Sequence, residues 1–146
     1  MNRQSNKITV LYCRIAHFHR DMEAIVRNQM DLLSRYAAEH GLQNPEFFCD
    51  WGFSGTTPKR PQYQRMLREV KVGNVSDVVV MDRSRLWRDL MGGHKFFHII
   101  LPCYGVTLHS LQDNIIITPQ DARAEADQYK GLLPLFQQER QRGGRK

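Results

Sequence analysis

Short apolar runs along the 146-residue chain alternate with segments that carry a helical hydrophobic period. Four runs are rich in β-branched or aromatic residues: 7–15, 45–50, 77–82 and 106–111. Runs of this length and composition predict buried β-strands. Residues 23–40 place apolar side chains close to a 3.6-residue period, and Gly41 follows as a helix-ending glycine, so we predict a long helix between the first two strands.

Three further helices are predicted from residues that start or stop helical structure. Pro61 suits the first position of a helix, because its missing N–H is not needed there. Residues 83–88 form a turn that leads into the next helix. The last helix lies within 116–138, where Gly131 and Pro134 are expected to break it.

Strands that alternate with helices favour a parallel sheet with helices on both faces. The expected fold is an α/β three-layer sandwich with a mostly parallel sheet of four or five strands. In such sheets, functional groups gather beyond the carboxyl ends of the strands. Polar or charged segments follow three of these ends here, at 14–19, 50–60 and 82–88, and we expect them to converge on one site.

The charge of the chain favours a polyanionic partner. Lysine and arginine number 21 against 15 acidic residues, which gives a formal net charge of +6 and an isoelectric point near 9.5. Eight basic residues face three acidic ones within 59–88, and four basic residues face one acidic residue in the last eleven. DNA fits this pattern, although a solvated basic surface without a partner explains it as well.

The sequence places the chain in a reducing cytoplasm. No apolar run approaches the roughly 20 residues that a membrane helix needs, so no membrane association is expected. Residues 1–7 are polar and lack the apolar stretch of a signal peptide. Three widely spaced cysteines do not make a disulfide framework, and Cys13 is expected to be a buried apolar thiol within its strand.

Four arginines are the strongest candidates for chemistry. Arg14 ends the first strand, Arg60 closes the loop after the second, and Arg85 and Arg88 follow the third. Guanidinium groups from three strand ends could surround one phosphodiester and stabilise the charge that develops on its oxygens. The competing interpretation is again a solvated basic surface.

For the other residues that could bind a cofactor, a metal ion or a base, a purely structural role explains the sequence at least as well. Nucleotide-binding glycine motifs are missing, so we expect neither NAD nor ATP, and no other cofactor. Four pairs each have two interpretations. His17 with His19, and His94 with His98, are zinc ligands or ordinary histidines. Asp50 with Asp82 are magnesium ligands or loop caps, and Trp51 with Trp87 are base-stacking or packing residues. No histidine pair has a nearby cysteine or carboxylate to complete a zinc site, so no metal is expected.

Six segments, in this order and spacing, resemble the catalytic domain of serine recombinases, the resolvase and invertase family, and most closely its large members from conjugative transposons and phages. They are LYCRI (11–15), NQMDLLSRYAAEHG (28–41), NPEFFCDWGFSGT (44–56), KRPQYQRML (59–67), VVVMDRSRLWRD (78–89) and YGVTLHSLQD (104–113). The resemblance implies a resolvase-like fold over residues 1–115. It also implies strand exchange through a 5′-phosphoserine link, in a tetramer, without metal or nucleotide.

The resemblance assigns roles to particular residues. Arg14, Arg60, Arg85 and Arg88 fall on the phosphate-binding arginines of the family. Supporting polar positions of the site are matched by four more residues: Gln29, Ser54, Asp82 and Ser84.

One position departs from the family at the centre of the site. The family motif reads Tyr-x-Arg-hydrophobic-Ser, whereas residues 12–16 here read Tyr-Cys-Arg-Ile-Ala. Ala16 therefore stands where the resemblance places the nucleophilic serine, and a methyl group cannot attack phosphorus. The substitutes to be considered are Ser54, in a loop of the site, and His17, through a phosphoramidate.

The carboxyl-terminal part also departs from the family, which continues into a long oligomerising helix and a DNA-binding domain. Residues 139–146 form a basic segment expected to be disordered, in which Arg142, Arg145 and Lys146 are candidates for loose DNA contact. The leading hypothesis is a DNA-binding, non-cleaving recombinase domain, as a homodimer or homotetramer. The alternative is an interaction module that forms mixed oligomers with active recombinases.

Overall fold

The computed structural model describes residues 6–16 and 20–130. Its strands are β1 (Ile8–Ile15), β2 (Pro45–Trp51), β3 (Val75–Val80), β4 (Thr107–Ser110) and β5 (Ile115–Ile117). They form one sheet in the order β2-β1-β3-β4-β5, in which β1 to β4 run parallel and β5 pairs antiparallel with β4. The predicted α/β fold with a mostly parallel sheet is confirmed, with five strands.

Four helices cover the sheet. They are α1 (Met22–Glu39), α2 (Pro61–Lys71), α3, whose consecutive segments are α-helical Leu90–Gly93, π-helical His94–Ile100 and α-helical Leu101–Cys103, and α4 (Pro119–Tyr129). Gly41 lies just beyond α1 with φ +63°, a conformation that favours glycine. Thr118 and Asp121 form a reciprocal capping box that fixes the start of α4.

Side chains alternate between the two faces of the sheet and create two cores. On β1, Val10 and Tyr12 join the larger core under α2, α3 and α4, whereas Leu11 and Cys13 join the smaller core under α1. The other buried members of the larger core include Phe48, Tyr63, Met66, Val70, Phe96, Leu101 and Ala122. This arrangement is the predicted three-layer sandwich.

Strand β5 is the element that the hydrophobic pattern does not predict. It has three residues, too few to show a period, and it follows a turn in which Asn114 adopts a positive φ of 52°. The first residue of β5 is residue 115, where the catalytic domain was expected to end, and Ala122 of α4 is buried in the larger core. That domain boundary stays a prediction.

One predicted strand boundary differs from the structure, and some predicted features lie outside the described residues. Strand β3 spans 75–80 and not 77–82, because Asp82 instead caps the 3-10 turn Arg83–Arg85 that follows. The expected breaks at Gly131 and Pro134 and the basic segment 139–146 lie outside the described residues. None of the helices in the described part of the chain is long and apolar enough to cross a membrane.

Candidate phosphodiester-binding site

Arg14 joins three strand-end segments into one site. Its Nε donates to the carbonyl of Arg85 at 2.8 Å, its Nη1 to the carbonyl of Phe53 at 3.0 Å, and its Nη2 to the carbonyl of Ser84 at 2.9 Å. The segments that follow β2 and β3 are therefore tied directly to the end of β1, as expected for the carboxyl ends of parallel strands. The side chain of Arg14 has no exposed surface.

Arg60 is a second buried hub beside the first. It donates to the carbonyls of Thr57 at 2.8 Å and Arg85 at 3.1 Å, and it also donates to the carbonyl of Leu86. Its guanidinium lies 4.2 Å from the ring centroid of Tyr63, close enough for a cation–π contact. Like Arg14, it is completely buried.

Tyr12 and Asp50 complete this hub on the sheet side. The Tyr12 hydroxyl accepts a hydrogen bond from Arg60 at 3.0 Å and donates to Asp50 Oδ2 at 2.8 Å. Asp50 also accepts the backbone N–H groups of Gln62 and Tyr63, both at 2.9 Å, at the start of α2. Burial raises the pKa of Tyr12. Asp50 is thus a helix cap, the second of the two roles that the sequence left open for it.

Arg85 and Arg88 lie at the same end of the sheet, where the parallel strands terminate, but closer to solvent. We call this end the strand-end pole. The Arg85 side chain is 29% exposed; its Nη1 donates to the Arg14 carbonyl at 3.2 Å, and its Nε lies 3.4 Å from Asp82 Oδ2. Arg88 is exposed. A Cβ on Gly55 would come within 2.9 Å of Arg14 Nη2 and 3.0 Å of Arg88 Cγ, so the glycine leaves room for both side chains beside it.

The other three arginines are close enough for their charges to affect the pKa of Arg14. Burial is the largest cause that lowers its pKa, and the charges of Arg60, Arg88 and Arg85 lower it further. Direct phosphate contact by Arg14 and Arg60 stays a prediction. In this structure both are buried, and their donors are occupied by carbonyls and by Tyr12.

Ala16 directly follows β1, two residues after Arg14, and is half-buried. Gln29 reaches the same strand end from α1, since its Oε1 accepts the Arg14 N–H at 3.4 Å. Ser84 is held by Asp82, whose Oδ1 accepts both its N–H at 3.0 Å and its hydroxyl hydrogen. The exposed Ser54 hydroxyl bonds the Thr56 hydroxyl at 2.8 Å. His17 lies outside the described residues.

A family model described as the N-terminal domain of resolvases matches residues 9–140. The chain belongs to the resolvase family. Because the family model covers most of the chain and the fold agrees, we describe it as a serine recombinase catalytic domain. No curated protein matches it.

Solved structures agree with this fold. The N-terminal catalytic domain of TP901-1 integrase is 22% identical with a TM-score of 0.67, and the match covers 93% of this chain and 98% of that one. A resolvase family site-specific recombinase from Streptococcus pneumoniae is 21% identical with a TM-score of 0.72, over 94% and 93% of the two chains. A serine recombinase from Sulfolobus solfataricus is 21% identical with a TM-score of 0.60, over 73% and 69%.

The two tryptophans of this resolvase-family domain pack inside it. Trp87 donates from Nε1 to the Tyr63 hydroxyl at 2.7 Å, and its ring lies 4.9 Å from the Arg60 guanidinium. Trp51 is half-buried against the smaller core under α1. For both, the structure favours the packing interpretation over base stacking.

A cluster of charged side chains that the sequence did not predict connects α4 to the turn after β3. It consists of Arg83, His98 and Glu125, and we call it the clasp. Arg83 donates to both oxygens of Glu125 on α4, at 2.7 and 3.0 Å, and His98 Nε2 lies 2.7 Å from Glu125 Oε1. His94 Nδ1 is 2.9 Å from His98 Nδ1. Among the described residues, no group of three histidine, cysteine or acidic side chains is arranged to hold a metal ion. These partners are 27 and 42 residues apart, so spacing along the chain gives no signal for them.

A cavity of about 160 Å³ opens beside this clasp. Arg83, Trp87, Arg88 and His94 contribute to its lining. The exposed Arg88 therefore lines part of this cavity.

Proposed function

We propose that this domain binds the phosphodiester backbone of DNA at the end of β1 and does not cleave it. The observation that supports the proposal is the arginine cluster at the end of β1. Arg14 and Arg60 both donate to the Arg85 carbonyl, and Arg85 donates to the Arg14 carbonyl. Ala16, two residues after Arg14, has no hydroxyl where the family motif has serine. Such a domain needs neither metal nor nucleotide, because guanidinium groups alone can neutralise a phosphate. We place it in the cytoplasm, with DNA as its partner.

The roles within the cluster follow from exposure. Arg85 and Arg88 reach solvent and are the groups that meet a phosphate first. Arg14 and Arg60 hold the carbonyls of 84–86, and so fix the backbone that carries Arg85 and Arg88. Entry of a phosphate among all four groups requires these carbonyl contacts to open. Arg142, Arg145 and Lys146 add loose contacts in this proposal.

Salt-dependent binding to duplex DNA of random sequence tests the phosphate site. Each neutralised phosphate contributes a slope of about −0.9 to log K against log salt concentration. We expect a slope of about −2 or steeper for the native domain, and a clear loss of affinity for Arg85→Glu. A slope near zero, or an unchanged affinity in Arg85→Glu, contradicts the proposal. Equal capture of an active recombinase by the native and Arg85→Glu chains would instead favour the interaction module.

Covalent trapping tests the loss of chemistry. Nicked duplexes of randomised sequence are incubated with the native domain and with Ala16→Ser, and protein–DNA adducts are resolved under denaturing conditions. The native chain is expected to give no adduct, and Ala16→Ser a 5′-phosphoserine adduct, since a hydroxyl is restored beside the arginines. An adduct of the native chain that maps to Ser54 or His17 would overturn the proposal.

A further inference from the structure

Cys13 and Cys49 form a facing pair of thiols that the phosphate site does not use. They are register partners on the neighbouring parallel strands β1 and β2. Both belong to the smaller core under α1, so their side chains leave the same face of the sheet. The Cys13 side chain is the largest influence on the pKa of its neighbour Cys49 and lowers it.

The spacing of such a pair permits a disulfide. Paired strands lie about 4.8 Å apart, and cystine bridges accept Cα separations of about 4.4–6.8 Å. Because the two residues are in register and share a face, their Cβ atoms point side by side. Cβ atoms on strands about 4.8 Å apart are slightly farther apart than the roughly 3.5–4.5 Å of a cystine. Closure therefore needs side-chain rotation and a small local approach of the two strands, without a shift of register.

The two thiols differ in access. Cys13 is completely buried, whereas Cys49 is half-buried on β2, which is an edge strand of the sheet. A groove of about 500 Å³ runs between α1 and this edge and is lined partly by Met30 and Phe47, which pack in the same core as Cys49. The Cys13 side chain lowers the pKa of Cys49, and the Cys49 side chain, with burial, raises the pKa of Cys13. Cys49 is thus the attacking thiol, and Cys13 is the resolving thiol behind it.

We propose that Cys13 and Cys49 are a dithiol redox site that low-molecular-weight disulfides convert to an intramolecular cystine. The Cys49 thiolate attacks one sulfur of the small disulfide and expels a small thiolate, which leaves a mixed disulfide on Cys49. Cys13 then attacks Cys49 Sγ and expels the second small thiolate, which takes up the Cys13 proton as it leaves. Two protein thiols are oxidised, and one small disulfide is reduced to two thiols.

The consequence is a bridge beside the phosphate site. Cys13 precedes Arg14, and Cys49 precedes Asp50, whose carboxylate binds Tyr12 on the opposite face of the same two strands. A cystine between Cys13 and Cys49 would link β1 covalently to the edge strand β2, next to Arg14 and Asp50. The cystine form is expected to melt at a higher temperature, because the bridge restricts the unfolded chain between residues 13 and 49. The same bridge in a cytoplasmic protein is characteristic of sensing, not of permanent structure.

The test treats the native, folded protein with glutathione disulfide and maps the products by mass spectrometry. Trypsin places the three cysteines on separate peptides, 8–14, 36–59 and 96–123. We expect a cross-link between peptides 8–14 and 36–59, with the loss of two hydrogens per chain, that dithiothreitol reverses. Cys103→Ser is the matched control and keeps the cross-link, since Cys103 is an exposed thiol elsewhere.

Two further arms keep the test decisive. In Cys13→Ser, the reaction is expected to stop at the mixed disulfide on Cys49. In denaturant, all three pairings are expected to form, with a modest preference for the shorter loops. A 13–49 cystine formed almost exclusively in the native protein therefore depends on the fold. The proposal is overturned if the folded protein gives only adducts or dimers through Cys103, if Cys49 accumulates a mixed disulfide that Cys13 never resolves, or if neither thiol of the pair reacts.

Discussion

Arg14 and Arg60 lie at the same end of the sheet as Arg85 and Arg88, but the two pairs differ in burial and in what their guanidinium groups contact. The first pair is completely buried, and its guanidiniums donate to backbone carbonyls on segments that follow β2 and β3. The second pair lies at the same strand-end pole and reaches solvent. One cluster of like charges thus contains a buried, structural half and a solvent-accessible half, which we propose receives the phosphate. Arginine suits both roles because its five donors are fixed in one plane.

The buried half explains how four cations can lie together without an acid for each. Backbone carbonyl dipoles and the Tyr12 hydroxyl satisfy the donors of Arg14 and Arg60, and the Tyr63 and Trp87 rings face the Arg60 guanidinium. In the proposed function, a phosphate bound at Arg85 and Arg88 would reduce the repulsion among the four guanidiniums.

Removal of a buried guanidinium should have the largest effect. Arg60→Ala leaves the Tyr12 hydroxyl and the carbonyls of Thr57, Arg85 and Leu86 without their donor. We expect a loss of roughly 3–5 kcal/mol in the free energy of unfolding, measured by urea denaturation.

Arg88→Ala is the matched control, since its side chain is exposed, and it should change the free energy of unfolding by less than about 0.5 kcal/mol. Equal losses of unfolding free energy in the two variants would contradict the claim that Arg60 stabilises the fold and Arg88 does not.

Gly55→Ala probes the point where the two halves meet. The added methyl group would lie 2.9 Å from Arg14 Nη2 and 3.0 Å from the Ser84 carbonyl oxygen, so side chains or backbone must move. We expect a loss of about 1–3 kcal/mol in unfolding free energy, as for overpacking elsewhere. Gly73→Ala is a less informative control because φ is +78° there, so Ser54→Ala, at an exposed neighbouring position, is preferred. An unchanged stability in Gly55→Ala would show that Arg14, Arg88 and the Ser84 carbonyl are not held tightly against residue 55.

The clasp between Arg83 and Glu125 predicts a smaller effect that depends on pH. The hydrogen bond from Arg83 lowers the pKa of Glu125 from 4.5, so the folded state binds this proton less well than the unfolded state. The stabilisation is complete above pH 4.5 and is lost as pH falls through the lower pKa of the folded state. Because Glu125 is 27% exposed, we expect less than about 1 kcal/mol.

Urea denaturation of the native domain and Arg83→Ala between pH 3 and pH 6 measures this contribution. The stability difference between the two should shrink toward the acid end of the series. A difference that stays constant across the series would show that Glu125 does not carry it.

Sequence patterns predict the layers of this fold and the place of its site, but not the division of labour among the arginines. The periods of β1 and α1 follow from burial on one face, and the carboxyl ends of parallel strands must meet at one edge. The burial of Arg14 depends on a carbonyl 71 residues away, at Arg85, and such contacts leave no periodic signal. The same holds for β5, whose three residues take their structure from pairing with β4.

The most direct test compares the salt dependence of DNA binding between the native domain, Arg88→Ala and Arg68→Ala. Arg68 is an exposed arginine in the last turn of α2, away from the strand-end pole, so both variants lose one positive charge. We expect Arg88→Ala to weaken binding to all duplexes and to reduce the magnitude of the slope by about 1, while Arg68→Ala keeps the native slope. Equal slopes in all three proteins would contradict a phosphate site at the end of β1.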